Sequence, residues 1–97
     1  MKRAYETVVI VDALLPDDQI ESTVKNLEEY LQKISEVKKV DRRGKRRLSF
    51  EINKKNHGDY TVFSYDAEGT VIAEFERRLH LNEAVVRSLT VLREGVL

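Results

Sequence analysis

The chain contains no cysteine, so it can build neither a disulfide framework nor a metal site held by thiolates. It also lacks any apolar run approaching about 18 residues, the length typical of a membrane-spanning helix. The apolar stretch over residues 7–11 is too short for the core of a signal peptide. These absences lead us to expect a cytoplasmic protein that does not bind a membrane.

Net charge is also absent, because 17 basic side chains balance 17 acidic ones. Such a molecule has little long-range field with which to attract a polyanion, so nucleic-acid binding would have to come from local patches. One such patch spans residues 38–47, where the single acid is Asp41. Its basic residues are Lys38, Lys39, Arg42, Arg43, Lys45, Arg46 and Arg47. Carboxylates collect elsewhere, chiefly over residues 17–36 and 66–83.

The length of 97 residues fits one domain with a modest hydrophobic core. With 41% apolar and 35% charged residues, and no long run of Pro, Gly or Ser, the composition is that of a compact protein. We therefore expect a single domain over residues 1–97.

Hydrophobic periodicity predicts the first half of the fold. Residues 5–11 are rich in β-branched side chains and predict a buried central strand. After Pro16, apolar residues at spacings of four and three predict an amphipathic helix that ends near Ile34. Residues 37–53 alternate with a period of two and predict a second strand, with a bulge or bend at Gly44.

The second half follows from turn and helix signals. Residues 53–58 have the composition of a turn, and residues 60–65 predict the returning strand of a hairpin. Thr70 is expected to cap a second helix whose apolar stripe includes Phe75 and Leu79, and residues 85–92 predict a fourth strand.

The order β-α-β-β-α-β is the α+β, ferredoxin-like split βαβ arrangement, in which two helices cover one face of a four-stranded antiparallel sheet. Right-handed crossovers put the second strand at an edge and leave the other face of the sheet open. This fold occurs in enzymes, metal carriers, regulatory domains and RNA-binding modules, so it does not by itself select a function.

The sequence offers no catalytic or metal-binding motif. It has no Gly-rich phosphate loop, no nucleophile elbow and no zinc-protease helix. His57 and His80 stand alone, without cysteine or a spaced carboxylate cluster, so structural roles are favoured over metal ligation or proton transfer. We expect no enzyme activity, no cofactor, no metal site and no small-molecule substrate.

Four aromatic residues on predicted strands raise the alternative of base stacking, as in the RNA recognition motif. They are Tyr5, Tyr60, Phe63 and Tyr65. The accompanying basic residue and the aromatic register do not match that motif, and most single aromatics on a strand serve packing. We therefore favour packing.

Residues 44–53 read Gly-Lys-Arg-Arg-Leu-Ser-Phe-Glu-Ile-Asn. This stretch resembles the signature of the family of the sixth bacterial small-subunit ribosomal protein: a glycine, basic or polar residues before leucine, a small residue, an aromatic, then isoleucine. It departs from the signature at Phe50, where the family usually has tyrosine. Further similarity covers residues 3–93, including Arg3, Tyr5, Glu6 and Tyr60.

The resemblance implies a non-enzymatic component of the platform, one region of the small ribosomal subunit. Its expected partners are small-subunit ribosomal RNA and the eighteenth small-subunit protein, with which it would form a heterodimer. The residues expected to contact RNA are Arg3, Arg46, Arg47 and Arg87. Those expected to contact the partner protein are Lys45, Arg47, Ser49 and Phe50.

Several alternatives remain open from the sequence. The basic segment could serve only to keep an edge strand from pairing with its own copies. Arg87 shares strand parity with Val85, Leu89 and Val91, so it either pairs with a carboxylate at the sheet margin or faces outward, which we favour. A stand-alone small-molecule regulatory domain is the rival function, and an enzyme of the same fold is a weaker one.

Overall fold

The computed structural model describes residues 1–52 and 55–93, with the side chains of residues 48–52, 55 and 56 left aside. It contains the predicted β-α-β-β-α-β order. The elements are β1 (Lys2–Asp12), α1 (Asp17–Ile34), β2 (Glu36–Ile52), β3 (Lys55–Glu68), α2 (Gly69–Leu81) and β4 (Val85–Leu92).

The four strands form one antiparallel sheet in the order β2-β3-β1-β4. β1 and β3 are central, and they pair without interruption from Lys2 opposite Glu68 to Asp12 opposite Gly58. β2 and β4 are the two edges. The predicted split βαβ topology, with the second strand at an edge, is therefore confirmed.

Alternation along the central strands separates a covered face from an open one. Val9, Val11 and Phe63 are fully buried beneath the helices, whereas Val8, on the opposite parity, is only partly buried. Residues opposite one another in neighbouring strands share a face, so the pairing extends this division across the sheet. We call the side away from α1 and α2 the open face.

The helices bury the stripes that the spacing predicts. The fully or almost fully buried residues are Ile20, Val24, Leu27 and Leu31 of α1, and Phe75 and Leu79 of α2. Each large apolar side chain removed from water in this way contributes about 1.5–3 kcal/mol before the entropic cost of ordering it. α1 ends where the Ser35 hydroxyl donates to the Leu31 carbonyl at 2.7 Å.

A buried hydroxyl network ties both central strands to β4. The Tyr65 hydroxyl and the Thr7 hydroxyl lie 2.8 Å apart, and the Thr7 and Thr90 hydroxyls are also 2.8 Å apart. Burial raises the pKa of Tyr65 above its ordinary value, because the phenolate would be poorly solvated there.

Two local predictions need correction. β3 already begins at Lys55, so residues 55–58 belong to the strand and not to a turn, while Asn53 and Lys54 lie outside the described residues. Pairing with β2 and β1 satisfies the backbone of this polar segment, which composition alone reads as a turn. α2 begins at Gly69, with Glu68 at the N-cap position and no side-chain capping bond, so Thr70 is not the cap.

Candidate functional site

The basic segment lies along β2, at an edge of the sheet. The strand is irregular there: the pairing register with β3 shifts between Arg42 and Gly44, and Gly44 has a φ of 80°. Only glycine adopts this left-handed conformation at little steric cost, so the predicted bulge at Gly44 is confirmed.

The bulge decides which face each later basic residue takes, because one inserted residue reverses the alternation beyond it. Lys45 lies opposite Asp59 and therefore on the helix side of the sheet. Arg46 lies opposite Gly58, which places it on the open face, and Arg47 alternates back to the helix side. Without the bulge, these three residues would exchange faces.

Arg42 is the most firmly held member of the segment. Its guanidinium donates to Glu21 Oε2 of α1 at 2.6 Å and to Asp59 Oδ1 of β3 at 2.9 Å. Burial acts to lower the pKa of Arg42, but the hydrogen bonds to Glu21 and Asp59 outweigh it and leave that pKa raised. Arg42 thus serves to join β2 to β3 and α1.

Three more cations of the segment are paired at the surface. Lys45 Nζ lies 2.8 Å from Asp17 Oδ1, which lowers the pKa of Asp17 and raises that of Lys45. Lys38 Nζ lies 2.7 Å from Glu36 Oε1, and Arg43 lies 3.1 Å from Asp41. The pKa of Glu36 is lowered and that of Lys38 is raised by their hydrogen bond.

Lys39, Arg46 and Arg47 remain, and all three are exposed. Within the part of the chain that the structure describes, none of them takes part in an ion pair. Their charge is therefore available to an external anion, whereas the other four cations of the segment already have carboxylate neighbours. The local field of the segment is weaker than its composition suggests.

Arg87 lies on the open face near Arg46. One row across the sheet runs from Arg87 through Ile10 and Tyr60 to Gly44, and Arg46 lies two residues further along β2. Adjacent strands are about 4.8 Å apart, so the edge strands that carry Arg46 and Arg87 are separated by about 14 Å. Arg87 is exposed and shares its face with Leu89 and Val91, whereas a register shift puts Val85 opposite Val11 on the helix side, so the expected common parity with Val85 is wrong.

Arg3 is not brought to this end of the sheet. It lies opposite Ala67, seven residues from Ile10 along β1, which corresponds to about 24 Å. The four residues expected to contact RNA thus divide into Arg46, Arg47 and Arg87 at one end and Arg3 at the other.

The residues expected to contact a partner protein are described only in part. Lys45 and Arg47 share the helix side of the β2 edge. The backbone of Ser49 and Phe50 continues β2, but their side chains lie outside the described part of the chain.

The aromatic residues pack instead of forming a stacking platform. Tyr5 and Tyr65 stack with their ring centroids 6.1 Å apart, and Phe63 and Tyr65 both contact Phe75 of α2 edge-on. All these rings lie on the helix side, and of the four considered only Tyr60 has open-face parity. The prediction that they serve packing is confirmed for Tyr5, Phe63 and Tyr65.

Other kinds of site find no support in the described residues. They contain no group of three or more His, Asp or Glu side chains that could hold a metal ion. His57 and His80 are both exposed, in β3 and in the last turn of α2. Over the same residues, no helix is long and apolar enough to cross a membrane.

Sequence reasoning missed the acids that neutralise the basic segment. Asp17, Glu21 and Asp59 are separated from their cations by 28, 21 and 17 residues. No local pattern signals such contacts, although the acids in the first turn of α1 were visible as a group. It also missed the exposed apolar residues Leu89 and Val91 on the open face.

Comparison with known proteins gives consistent matches. Residues 4–92 match the family model described as Ribosomal protein S6. The chain is 41% identical over 95 residues to the small ribosomal subunit protein bS6 of Trichormus variabilis, covering 97% of this chain and 88% of that protein. It is 38% identical over 93 residues to the protein of the same name from Thermosynechococcus vestitus, covering 95% and 82%.

A solved structure agrees with this result. The 30S ribosomal protein S6 from Thermotoga maritima superposes with a TM-score of 0.92 at 28% sequence identity, covering 99% of this chain and 92% of that one.

Proposed function

Since this chain belongs to the ribosomal protein S6 family, we propose that it binds small-subunit ribosomal RNA as a heterodimer with the eighteenth small-subunit protein. It is a non-enzymatic protein of the small ribosomal subunit, in the cytoplasm. In the proposal, residues 1–97 act as one domain.

The observation that carries the proposal is the exposure of Arg46 and Arg47 on an edge strand whose other basic residues are largely paired. Arginine suits both expected partners, because its planar group donates to phosphate and carboxylate oxygens in a fixed geometry. Phosphate contacts supply most of the affinity of proteins for nucleic acids, through the release of bound counterions. Two such arginines on a molecule of zero net charge supply little of that affinity alone.

Because the isolated chain should have low affinity for RNA, we expect it to bind RNA together with a partner protein. A partner that contributes further basic charge would raise the number of neutralised phosphates without changing this chain. β2 is the long edge that such a partner can reach, since its 17 residues pair on one side only, with β3, in the described part of the chain.

The alternation set by Gly44 places neighbouring basic residues on different faces of the sheet, and we assign the two faces to different partners. Lys45 and Arg47 lie on the helix side of the edge, and we assign them to the partner protein together with Ser49 and Phe50. Arg46 and Arg87 lie on the open face and are assigned to RNA. Arg47, at the edge itself, and Arg3, at the far end of the sheet, remain secondary RNA contacts in this proposal.

Titration calorimetry of the chain with the eighteenth protein tests the pairing. We expect one-to-one binding that Arg47→Gln weakens by about five- to tenfold, the size of a partly exposed interfacial charge contact. Arg46→Gln should leave this pairing unchanged. The matched control is Arg77→Gln on α2, where the lost contact is a surface pair with Glu74 at 3.3 Å.

The same variants, measured for RNA binding, distinguish residues that contact RNA from residues that contact the partner protein. In gel shifts of the heterodimer with a platform rRNA fragment, Arg46→Gln should weaken binding and lower the steepness of its dependence on log salt concentration by about 1. Absence of pairing would overturn the proposal. Equal effects of Arg46→Gln and Arg47→Gln on pairing would overturn the division of roles.

A further inference from the structure

The two edges of the sheet are built differently. β2 carries three register shifts, a left-handed glycine at Gly44 and several Lys and Arg side chains, devices that keep an edge from pairing with other chains. β4 has one register shift, at its start between Val85 and Arg87, and from Arg87 opposite Ile10 to Leu92 opposite Tyr5 it pairs with β1 in unbroken register. Its sequence from Val85 to Leu92 contains one charged residue and no proline. β4 is therefore the edge that is less protected.

β4 also exposes apolar side chains beside that edge. Leu89 is 62% exposed and Val91 is 44% exposed, both on the open face. Arg87 precedes them on the same face, and Arg93 follows, with its Nε 3.6 Å from Glu6 Oε2. The open-face row along this edge thus reads basic, apolar, apolar, basic.

A cleft lies on the other side of β4, between that strand and the last turn of α2. Its volume is about 240 Å³. The residues lining it are Leu79, His80, Val85, Val86, Arg87 and Ser88. A strand added outside β4 would project every second side chain toward the helix side, where this cleft can receive one of them.

We propose that the outer edge of β4 binds an extended segment of another protein by strand addition. The side chains of that segment facing the open side are acidic, apolar, apolar and acidic at alternate positions. They lie opposite Arg93, Val91, Leu89 and Arg87 in an antiparallel pairing. This surface is separate from the β2 edge and shares only Arg87 with the proposed RNA contacts, so the added segment and RNA would compete for that residue.

Charge disfavours a second copy of this chain as the occupant. Two β4 strands that pair about Thr90 place Leu89 opposite Val91, the register that matches the apolar residues. The same register places Arg87 opposite Arg93, and like charges directly opposite destabilise a strand pair. RNA fits no better, because leucine and valine offer no aromatic surface on which a base can stack.

A pair of synthetic peptides tests the proposal on the full chain. The first is acetyl-Thr-Glu-Thr-Val-Thr-Leu-Thr-Glu-Thr-amide, and in the second both glutamates are replaced by lysine. In NMR titrations, the acidic peptide should shift β4 amides and slow hydrogen exchange at every second one. It should bind at least about tenfold more tightly than the lysine peptide, a difference that shrinks as salt is raised.

Substitutions locate the contact. Leu89→Glu should weaken binding of the acidic peptide by about tenfold or more, because it places like charge in the apolar centre of the row. The matched control is Leu14→Glu, which changes another exposed leucine, 77% accessible, in the loop after β1. Unchanged far-UV circular dichroism would show that both variants remain folded.

Several results would overturn the inference. One is equal affinity of the chain for the two peptides, and another is protection of β2 amides instead of β4 amides. A third is an equal loss of affinity for the acidic peptide in Leu89→Glu and Leu14→Glu. Concentration-dependent protection of β4 in the free protein would assign the edge to a second copy. Protection by an rRNA fragment but by neither peptide would assign it to RNA.

Discussion

Replacing Arg42 with methionine removes a guanidinium that bridges carboxylates on two different elements. One of them, Asp59, has a side chain that is only 7% exposed, whereas the other, Glu21, is 65% exposed. Methionine keeps most of the apolar stem, so the loss falls mainly on the charged group. The main consequence is that Asp59 loses its charged partner in a buried position.

The size of the effect follows from this burial. Removing one member of a buried ion pair costs about 3–5 kcal/mol, and solvent near the 30% exposed Arg42 side chain reduces that figure. We expect the free energy of unfolding at pH 7 to fall by about 2–3 kcal/mol. For a domain of this size, that corresponds to a fall in Tm of roughly 10–20 °C.

Urea unfolding followed by far-UV circular dichroism measures this change. The matched control is Arg43→Met, which removes the surface ion pair with Asp41. It should lower the free energy of unfolding by less than about 0.5 kcal/mol. Adding Asp59→Asn to Arg42→Met removes the stranded charge, so the double variant should be more stable than Arg42→Met alone. Equal stability of the two methionine variants, or a less stable double variant, would refute the reasoning.

Three further changes test the fold. Gly44→Ala should lower the free energy of unfolding by about 1–2 kcal/mol. No atom lies within 4 Å of the added Cβ, so this cost comes from the φ of 80° and not from a clash. Gly69→Ala, at the start of α2, should leave stability unchanged or higher. Tyr65→Phe should cost about 1 kcal/mol for the lost hydrogen bond. Because the folded pKa of Tyr65 is raised, its ionisation should reduce wild-type stability only above about pH 10, and this loss should be smaller in the variant. Arg78→Gln should cost about 0.5–1 kcal/mol, because Arg78 Cζ lies 4.0 Å from the centre of the Tyr30 ring.

Urea unfolding at matched pH measures all three. Equal costs for the two glycine substitutions would contradict the left-handed conformation at Gly44. If the stability of the wild-type protein falls no more steeply above pH 10 than that of Tyr65→Phe, the raised pKa of the buried Tyr65 is contradicted. Arg77→Gln is the control for Arg78, and an equal effect of both would contradict the ring contact with Tyr30.

The fold was largely predictable because its strongest elements have clear periods. α1 and β4 have the predicted extents, since the apolar stripe of α1 and the β-branched run of residues 85–92 agree with the tertiary packing. The start of β3 was not predictable from composition, because strand pairing there overrides the turn preference of Asn, His and Gly. The start of α2 was missed because the helix begins without a side-chain cap.

The candidate site was predictable only as a set of residues. The basic residues of β2 and the bulge at Gly44 were apparent in the sequence, but the faces of Arg46 and Arg47 depend on where the bulge falls. The neutralising contacts of Arg42 and Lys45 depend on α1 packing against β2. Both are properties of tertiary structure and leave no local pattern.

The central claim is that this chain binds ribosomal RNA effectively only together with its partner protein. The most direct test is a gel shift on a platform rRNA fragment at physiological salt, with this chain alone, the eighteenth protein alone, and both together. The account predicts a complex with the pair and little or none with this chain alone. Binding by the isolated chain as strong as that of the pair would contradict it.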